Sequence, residues 1–545
     1  MTSRIFAISA VIFQITATDS RAPFIFLEPE FSGRPDTRPD QTEEGELQET
    51  GVPSIHVYHT CVMSLQMKLP AHRTKIVCTI GPSSYRIPVL KSMIRAGMNV
   101  ARLNLSHGTT AEHRTMISNI RQAGTESGKV VAILLDLPGP KMRIGDLPDG
   151  PVNLNRGKEV RLCPAADDII PGCIPVECRD LHCRVRKGSR ILLDDGFMQL
   201  KVTGLSGEVI ECRVVSGGTL SSRKGLSIIG EHSYGGALGE DDFACIRFGT
   251  ESGIDTFSIS FVGSEKDIRQ ARDFAATLGN DIRIIAKIER AEAIDNLPAI
   301  LDAADGVMIA RGDLGVQIPI EDVPAIQKKI IRMAMIRGKP VITATQMMES
   351  MKDHIRPTRA EVTDVANAIF DGTDALMLSA ETSVGLYPVE TVSMMAKIAR
   401  AAEKARFTVG KLPPIRDDLV AGWGKQKMFV GDVISLNVMD ALRSLPIRYI
   451  LTPTRSGSTP RRISRFRPGI WILSFSRSEQ VQKFLCFSYG VFPVMLEGQG
   501  SISHDEILSF LIEKDLALGG DLVILTEGTS RKEAGTDSLR IIHIE

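Results

Sequence analysis

Eight short apolar runs, most of them separated by amphipathic stretches of helical length, predict an α/β chain built on a closed (β/α)8 TIM barrel. Two further observations extend this reading. An interval of over a hundred residues between the third and fourth runs is far longer than a crossover needs, and it is filled with short alternating segments, which predicts an inserted antiparallel β-barrel. Beyond about residue 425 the alternation of strand-like and helix-like segments resumes, which predicts a C-terminal α/β domain.

The eight runs are, in order, KIVCTI (75–80), MNVARLNL (98–105), VVAILLDL (130–137), DTFSISFV (255–262), RIIAKIE (283–289), GVMIARG (306–312), PVITATQ (340–346) and ALMLSAE (375–381). Barrel chemistry sits where strands run out into the loops of the C-terminal face. Arg102, Asn104, Ser106, Asp136, Lys287, Glu289, Asp313, Thr345 and Ser379 all fall at or just past the end of a run, so they are expected on one rim. In the insert, KEVRLCP, SRILLDD, GFMQLKVTGL and EVIECRVVSG are separated by glycine-containing turns, and the domain they form is expected to overhang that rim as a lid. The C-terminal order is RYILTPT, TPRRISRFRP, WILSFS, SEQVQKFLCFSYG, VFPVML, HDEILSFLIEKDL, DLVILTEG and SLRIIHIE. The expected division is therefore 1–66 as a disordered N-terminal extension, 67–142 and 238–405 as the barrel, 143–237 as the lid and 425–545 as the C-terminal domain.

A chain of 545 residues exceeds a single hydrophobic core. Its 65 basic and 65 acidic residues leave no net charge to attract nucleic acid or a membrane surface, so any anion binding has to be local. No apolar run approaches the roughly 18 residues of a membrane span. The segment Ile5 to Ala17 follows Arg4 and reads either as a short signal-peptide core, interrupted by Ser9 and Gln14, or as part of a dispensable extension. The nine cysteines fit neither a disulfide framework nor a CxxC pair, which points to a reducing, cytoplasmic setting. Cys173, Cys178, His182 and Cys183 cluster, but at gaps unlike those of zinc ligands.

Lys287 and Glu289 lie two apart on a strand, so both side chains point the same way, into the barrel mouth. Asp313, in the turn after the next strand, can reach the same point. Two carboxylates with substrate oxygens and water complete the octahedron of a divalent cation, Mg²⁺ or Mn²⁺. Lys287, Arg102 and the metal together supply the positive charge that phosphoryl transfer requires. Gly312 and Asp313 open a helix, where free N–H groups can hold a carboxylate, and Thr345 offers a hydroxyl. Thr358 and Glu361 are placed as a capping box over a helix whose Val362, Val365, Ala366 and Ile369 form a core face.

The ordered blocks RTKIVCTIGPSS, GMNVARLNLSHG, LLDLPGPKMRIG, GGTLSSRKGLSI, IIAKIERAEAIDNL, GVMIARGDLGVQIP, PVITATQMMESM, PTRAEVTDVANAIFDGTDALMLSAET and GLYPVET resemble the pyruvate kinase family from about residue 73 to 400. The resemblance implies Mg²⁺-dependent phosphoryl transfer from phosphoenolpyruvate to ADP, giving pyruvate and ATP, in a homotetramer. It implies that Lys287 stabilises the transferring group, that Glu289 and Asp313 bind the metal, and that Arg102 and Arg143 contact substrate phosphates. Asn104, Ser106 and Asp136 match monovalent-cation positions. Asn104, His107, Arg143 and Lys224 match nucleotide contacts, and Thr345 and Ser379 lie near the face where the enolate is protonated. Potassium-dependent relatives read Asp-Thr-Lys-Gly-Pro-Glu where this chain reads Asp136-Leu137-Pro138-Gly139-Pro140-Lys141. The ammonium of Lys141 can supply the charge that K⁺ otherwise brings, so K⁺ is not expected to be required. Ser456, Gly457, Ser458 and Thr459, followed by Arg461 and Arg462, read either as a phosphate nest for a sugar-phosphate or nucleotide effector or as an ordinary helix start. The rival readings are another Mg²⁺-dependent enolate-forming barrel lyase and a catalytically inactive scaffold or sensor.

Overall fold

The computed structural model describes residues 67–140, 142–165, 172–194, 196–229, 236–409, 415–420, 429–528 and 535–545. The Ile5–Ala17 segment and Lys141 lie outside these residues. Three barrel strands come first: β1 (Lys75–Thr79), β2 (Val100–Asn104) and β3 (Ala132–Asp136). The insert follows with β4 (Val152–Leu154), β5 (Glu159–Pro164), β6 (Cys173–Val176), β7 (Arg190–Leu193), β8 (Met198–Ser206), β9 (Val209–Ser216), β10 (Gly218–Leu220) and β11 (Leu226–Ile228). The barrel resumes with β12 (Thr256–Ile259), β13 (Arg283–Ile288), β14 (Gly306–Ala310), β15 (Val341–Ala344) and β16 (Ala375–Leu378). The C-terminal domain holds β17 (Ile447–Pro453), β18 (Trp471–Ser476), β19 (Val491–Met495), β20 (Leu522–Glu527) and β21 (Ser538–His543).

All eight expected runs are strands of one closed barrel, each parallel to its neighbours, with β1 paired to both β2 and β16. The strands are shorter than the runs because the polar ends leave the ladder: pairing stops at Ile288, one residue before Glu289. The two-residue period then sorts the interior into layers. Val77, Val100, Ala132, Leu134, Ile285, Met308, Ile342, Ala344, Ala375 and Met377 fill the lower barrel. Later residues of the same parity, such as Arg102, Asp136 and Lys287, reach its mouth. A larger apolar layer between strands and helices includes Val365 and Ile369 from helix Arg359–Asp371, with Val362 and Ala366 packed against it. That helix starts on the expected capping box, Thr358 accepting from the Glu361 backbone and Glu361 from that of Thr358.

The insert comprises a two-stranded antiparallel sheet of β4 and β10 and a six-stranded sheet in the order β11-β7-β8-β9-β5-β6, antiparallel except for β5 and β6, which run parallel. The entering chain closes it. Leu226 donates its N–H to Met142 O (2.9 Å) and Ile144 donates to Lys224 O (3.0 Å) on one edge, while Glu177 donates to Arg143 O (3.0 Å) and Gly145 to Pro175 O (2.8 Å) on the other. At the tip, a Cβ added to Gly196 would stand 3.7 Å from Val316 on helix Arg311–Gln317, so the insert overhangs the rim. Among the described residues no cluster of three or more His, Cys, Asp or Glu side chains could hold a metal, so Cys173, Cys178, His182 and Cys183 form no such site, and Cys178 donates instead to Asp180 at 3.0 Å. The C-terminal sheet runs β19-β18-β17-β20-β21, parallel except for β21. It is preceded by a helix, Val430–Ser444, that the sequence reading did not place.

The C-terminal domain also plugs the barrel. Phe484, Cys486 and Phe487 join the interior apolar layer. Around that plug run buried polar ties. Arg467 donates Nη1 and Nη2 to the two oxygens of Asp374, at 2.9 and 2.7 Å, and its Nε to the carbonyl of Gly372 at 3.1 Å. Glu403 accepts from the backbone N–H groups of Arg73 (2.8 Å) and Thr74 (2.7 Å). Lys75 donates Nζ to the Val491 carbonyl at 2.6 Å, 5.3 Å from the Trp471 ring centre.

Burial brings the Lys75 ammonium down to about 8. An unfolded lysine holds its proton to about 10.4. Between those values the unfolded chain binds more protons than the folded one, so stability rises with pH across that window. Lys75→Met removes this titration. In urea unfolding, the stability of Lys75→Met relative to wild type is expected to fall by about 1–2 kcal/mol from pH 7.5 to 9.5. A constant difference would mean that the buried ammonium stays charged.

Candidate active site

Two short strands, β3 and β13, position the central charges. Asp136 ends β3 and Lys287 lies at the inward parity of β13, with Glu289 one period further on. Lys287 Nζ lies 3.0 Å from Glu289 Oε1 and 3.5 Å from Asp136, and it donates to Ser260 Oγ at 2.8 Å. Arg102, inward on β2, donates Nε to Asp136 Oδ2 at 3.0 Å and Nη1 to Thr79 Oγ1 at 2.8 Å. Ser258 Oγ donates to the other Asp136 oxygen at 2.6 Å. Glu289 Oε2 accepts the N–H of Phe261 at 2.7 Å, a residue held at φ +55°.

The electrostatics follow from burial and pairing. Burial alone would lower the Lys287 pKa, but Asp136 and Glu289 overcome it and hold the ammonium above its ordinary value. Burial works against ionising Asp136, yet Arg102 and Lys287 hold its carboxyl below the usual range. Glu289 goes the other way: burial raises it, Lys287 draws it down, and Asp313 pushes it up again, for a net rise. A buried carboxylate raised beside a second carboxylate is a place where an added cation is stabilised. Glu289 and Asp313 therefore fit a hard divalent metal completed by non-protein oxygens.

These groups surround a cavity of about 170 Å³ lined by Arg102, Asn104, Ser106, His107, Asp136, Leu137, Pro138, Arg143, Ser260, Phe261, Lys287, Glu289 and Asp313. Seven of the nine expected rim polars meet there, joined by His107 and Arg143. Thr345 stands at one side, its Oγ1 accepting the N–H of Gly312 at 2.9 Å. Gly312 and Asp313 do open a helix, Arg311–Gln317. Ser379 lies just past β16, where its N–H donates to the buried Glu381 at 2.6 Å. Lys224 does not line the cavity; it pairs with Asp194 on the lid at 2.7 Å. Ser456, Gly457, Ser458 and Thr459 lie in the C-terminal domain after β17, with Ser456 Oγ donating to Ser458 Oγ at 3.2 Å and Thr459 Oγ1 bonded to Thr536 Oγ1.

Sequence reasoning missed Thr79, Ser258 and Ser260, although their signal was present. In TFSISF the polar residues at 256, 258 and 260 share one parity and so face the barrel interior. It also missed the strain at the end of β15, where Thr345 and Gln346 both have left-handed backbones, with φ +65° and +53°. Each such non-glycine residue costs roughly 1–2 kcal/mol. No local pattern marks this, because the neighbours that enforce it come from other elements.

Known protein families and structures share this fold. The family model "Pyruvate kinase, barrel domain" matches residues 71–392 and "Pyruvate kinase, alpha/beta domain" matches residues 432–542. A pyruvate kinase of Thermococcus litoralis is 46% identical over 481 residues, covering 88% of this chain and 100% of the relative. One of Bacillus licheniformis is 42% identical over 481 residues, covering 87% and 80%. A crystal structure of a pyruvate kinase from Cryptosporidium parvum superposes with a TM-score of 0.79 at 32% identity, covering 87% of this chain and 97% of that one. Matched over its barrel and its C-terminal domain, the chain belongs to the pyruvate kinase family of phosphotransferases.

Proposed function

We propose that this enzyme transfers the phosphoryl group of phosphoenolpyruvate to ADP, with Mg²⁺ held by Glu289 and Asp313 and without a requirement for K⁺. The observation that carries the reading is the Lys287 ammonium, clamped between Asp136 and Glu289 and kept charged at the edge of a cavity that Asp313 also lines. Phosphoryl transfer needs little covalent help from the protein and much positive charge in place. Lys287 offers that charge to the transferring group. Arg102, oriented by Asp136 and Thr79, and Arg143, at the root of the lid, face the phosphates. Gly312, Asp313 and Thr345 form the corner for the substrate carboxylate, and a bound divalent cation would polarise the enolate and phosphoryl oxygens. Asn104, His107, Arg143 and Lys224 are the nucleotide contacts, with Lys224 passing from Asp194 to a nucleotide phosphate. Thr345 and Ser379 flank the face on which the enolate is protonated.

The K⁺ reading is supported by the state of Asp136. Its oxygens already serve Arg102, Lys287 and Ser258, so a further cation there would meet two guanidinium or ammonium charges. Asn104 and Ser106 are the other positions concerned, and Lys141 adds a third positive charge nearby in sequence. A lyase would not use Arg143 and Lys224, and an inactive scaffold would not keep Lys287, Glu289, Asp313 and Arg102 together. The eight described cysteines, all thiols, fit a cytoplasmic setting, and no helix of the described residues is long and apolar enough to cross a membrane.

With phosphoenolpyruvate, ADP and Mg²⁺ in potassium-free buffer, wild type is expected to form pyruvate and Lys287→Met to lose about 10³-fold or more in kcat. A silent, folded wild type would remove the assigned reaction, and an active Lys287→Met would remove the role of Lys287. Adding K⁺ is expected to change kcat less than about tenfold, or ~1.4 kcal/mol of barrier; a larger gain sinks the potassium-independent reading. Glu289→Gln and Asp313→Asn should each weaken Mn²⁺ binding about tenfold or more by electron paramagnetic resonance titration. Unchanged affinity in either variant would take that residue out of the metal site.

A further inference from the structure

The end of β15 is held in a conformation that its own residues disfavour, and one side chain gathers its carbonyls. Arg311 opens helix Arg311–Gln317, with its side chain 11% exposed. Its Nη2 donates to the carbonyls of Thr345 at 2.8 Å and Gln346 at 3.3 Å, and its Nε to that of Ala344 at 3.4 Å. In an extended strand successive carbonyls point to opposite sides, so one guanidinium cannot gather three in a row. The left-handed pair at 345 and 346 is what turns them together.

Arg311 is fixed in turn by Asp364 of helix Arg359–Asp371, with Nη1 donating to Oδ1 at 2.7 Å and Nη2 2.7 Å from Oδ2. This two-pronged pairing sets the plane of the guanidinium. The next residue, Gly312, grips the same strand end from the side-chain direction through its N–H to Thr345 Oγ1. None of these Arg311 contacts is to a group lining the catalytic cavity.

We propose that Arg311, anchored by Asp364, is a positioning residue that holds the Thr345–Gln346 turn left-handed and thereby sets the Thr345 hydroxyl against Gly312 at the substrate-carboxylate corner. The inference rests on the reading of Thr345 as a substrate contact. Loss of the guanidinium lets the turn relax toward an extended backbone and moves the hydroxyl. A lysine can serve one carbonyl but not three. Glycine at 346 takes a positive φ without steric cost and needs less holding.

The test is steady-state kinetics of Arg311→Gln, Arg311→Lys, Arg311→Gln with Gln346→Gly, Asp364→Asn and Thr345→Ala, alongside thermal midpoints. Arg311→Gln is expected to lower kcat/KM for phosphoenolpyruvate by about 100-fold with the KM for ADP within about threefold, since only one corner of the site moves. Arg311→Lys should fall between it and wild type, and adding Gln346→Gly to Arg311→Gln should restore about tenfold. If Arg311→Gln does not fold, Asp364→Asn, which loosens the anchor but keeps the guanidinium, decides by the same parameter with an expected loss of about tenfold. Arg311→Gln or Asp364→Asn within threefold of wild type, or a glycine variant that restores nothing, overturns the proposal. Full activity in Thr345→Ala would instead remove the reading of Thr345, leaving the glycine rescue to judge Arg311.

Discussion

A buried ammonium stays charged only if carboxylates stand beside it, and buried carboxylates stay charged only if cations stand beside them. Lys287, Asp136, Arg102 and Glu289 meet that condition as a chain, each residue stabilising the next across three strands. The condition dictates much else. It needs strands close enough to present alternate charges, hence a closed barrel, and an apolar layer beneath, so that the charges face upward into one cavity. It leaves Glu289 raised beside Asp313, a deficiency of positive charge that a divalent cation would fill.

The barrel supplies this without special backbone geometry over most of its length, and departs from regular structure where the chemistry sits. Phe261 is left-handed where its N–H meets Glu289, and Thr345 and Gln346 are left-handed where their carbonyls meet Arg311. Strain of this kind persists only where surrounding contacts over-determine it. Here those contacts come from the adjacent βα unit, so neighbouring strands hold each other's active-site turns. The far end of the barrel is closed by a different means, an aromatic and thiol plug from the C-terminal domain secured by Arg467 on Asp374. The barrel interior is thus shared between domains at the bottom and opens to the lid at the top.

Much of this could be read from the chain in order. The eight strands, the insert, the C-terminal alternation and the capping box at Thr358 follow from periodicity and turn chemistry, which are local properties. The rim residues were legible for the same reason, since a period of two and the end of an apolar run place a side chain without reference to the rest of the fold. Ser258 and Ser260 were equally legible by parity but carry no charge to draw notice. Arg311 was not legible: it sits beside Gly312 and Asp313, and its work is done on carbonyls of another strand.

By itself the sequence determined which residues face the barrel mouth and what charges they bring, because strand parity and apolar patterning act over a few residues. Only the tertiary structure decided that Asp136 is shared by Arg102 and Lys287, that Glu289 is raised by burial and by Asp313, that Phe484 and Phe487 fill the barrel floor, and that Arg311 holds Thr345. These depend on how far β2, β3, β13, β14 and β15 stand from one another once the barrel closes. Coulomb and hydrogen-bond energies follow those distances, which no local pattern contains.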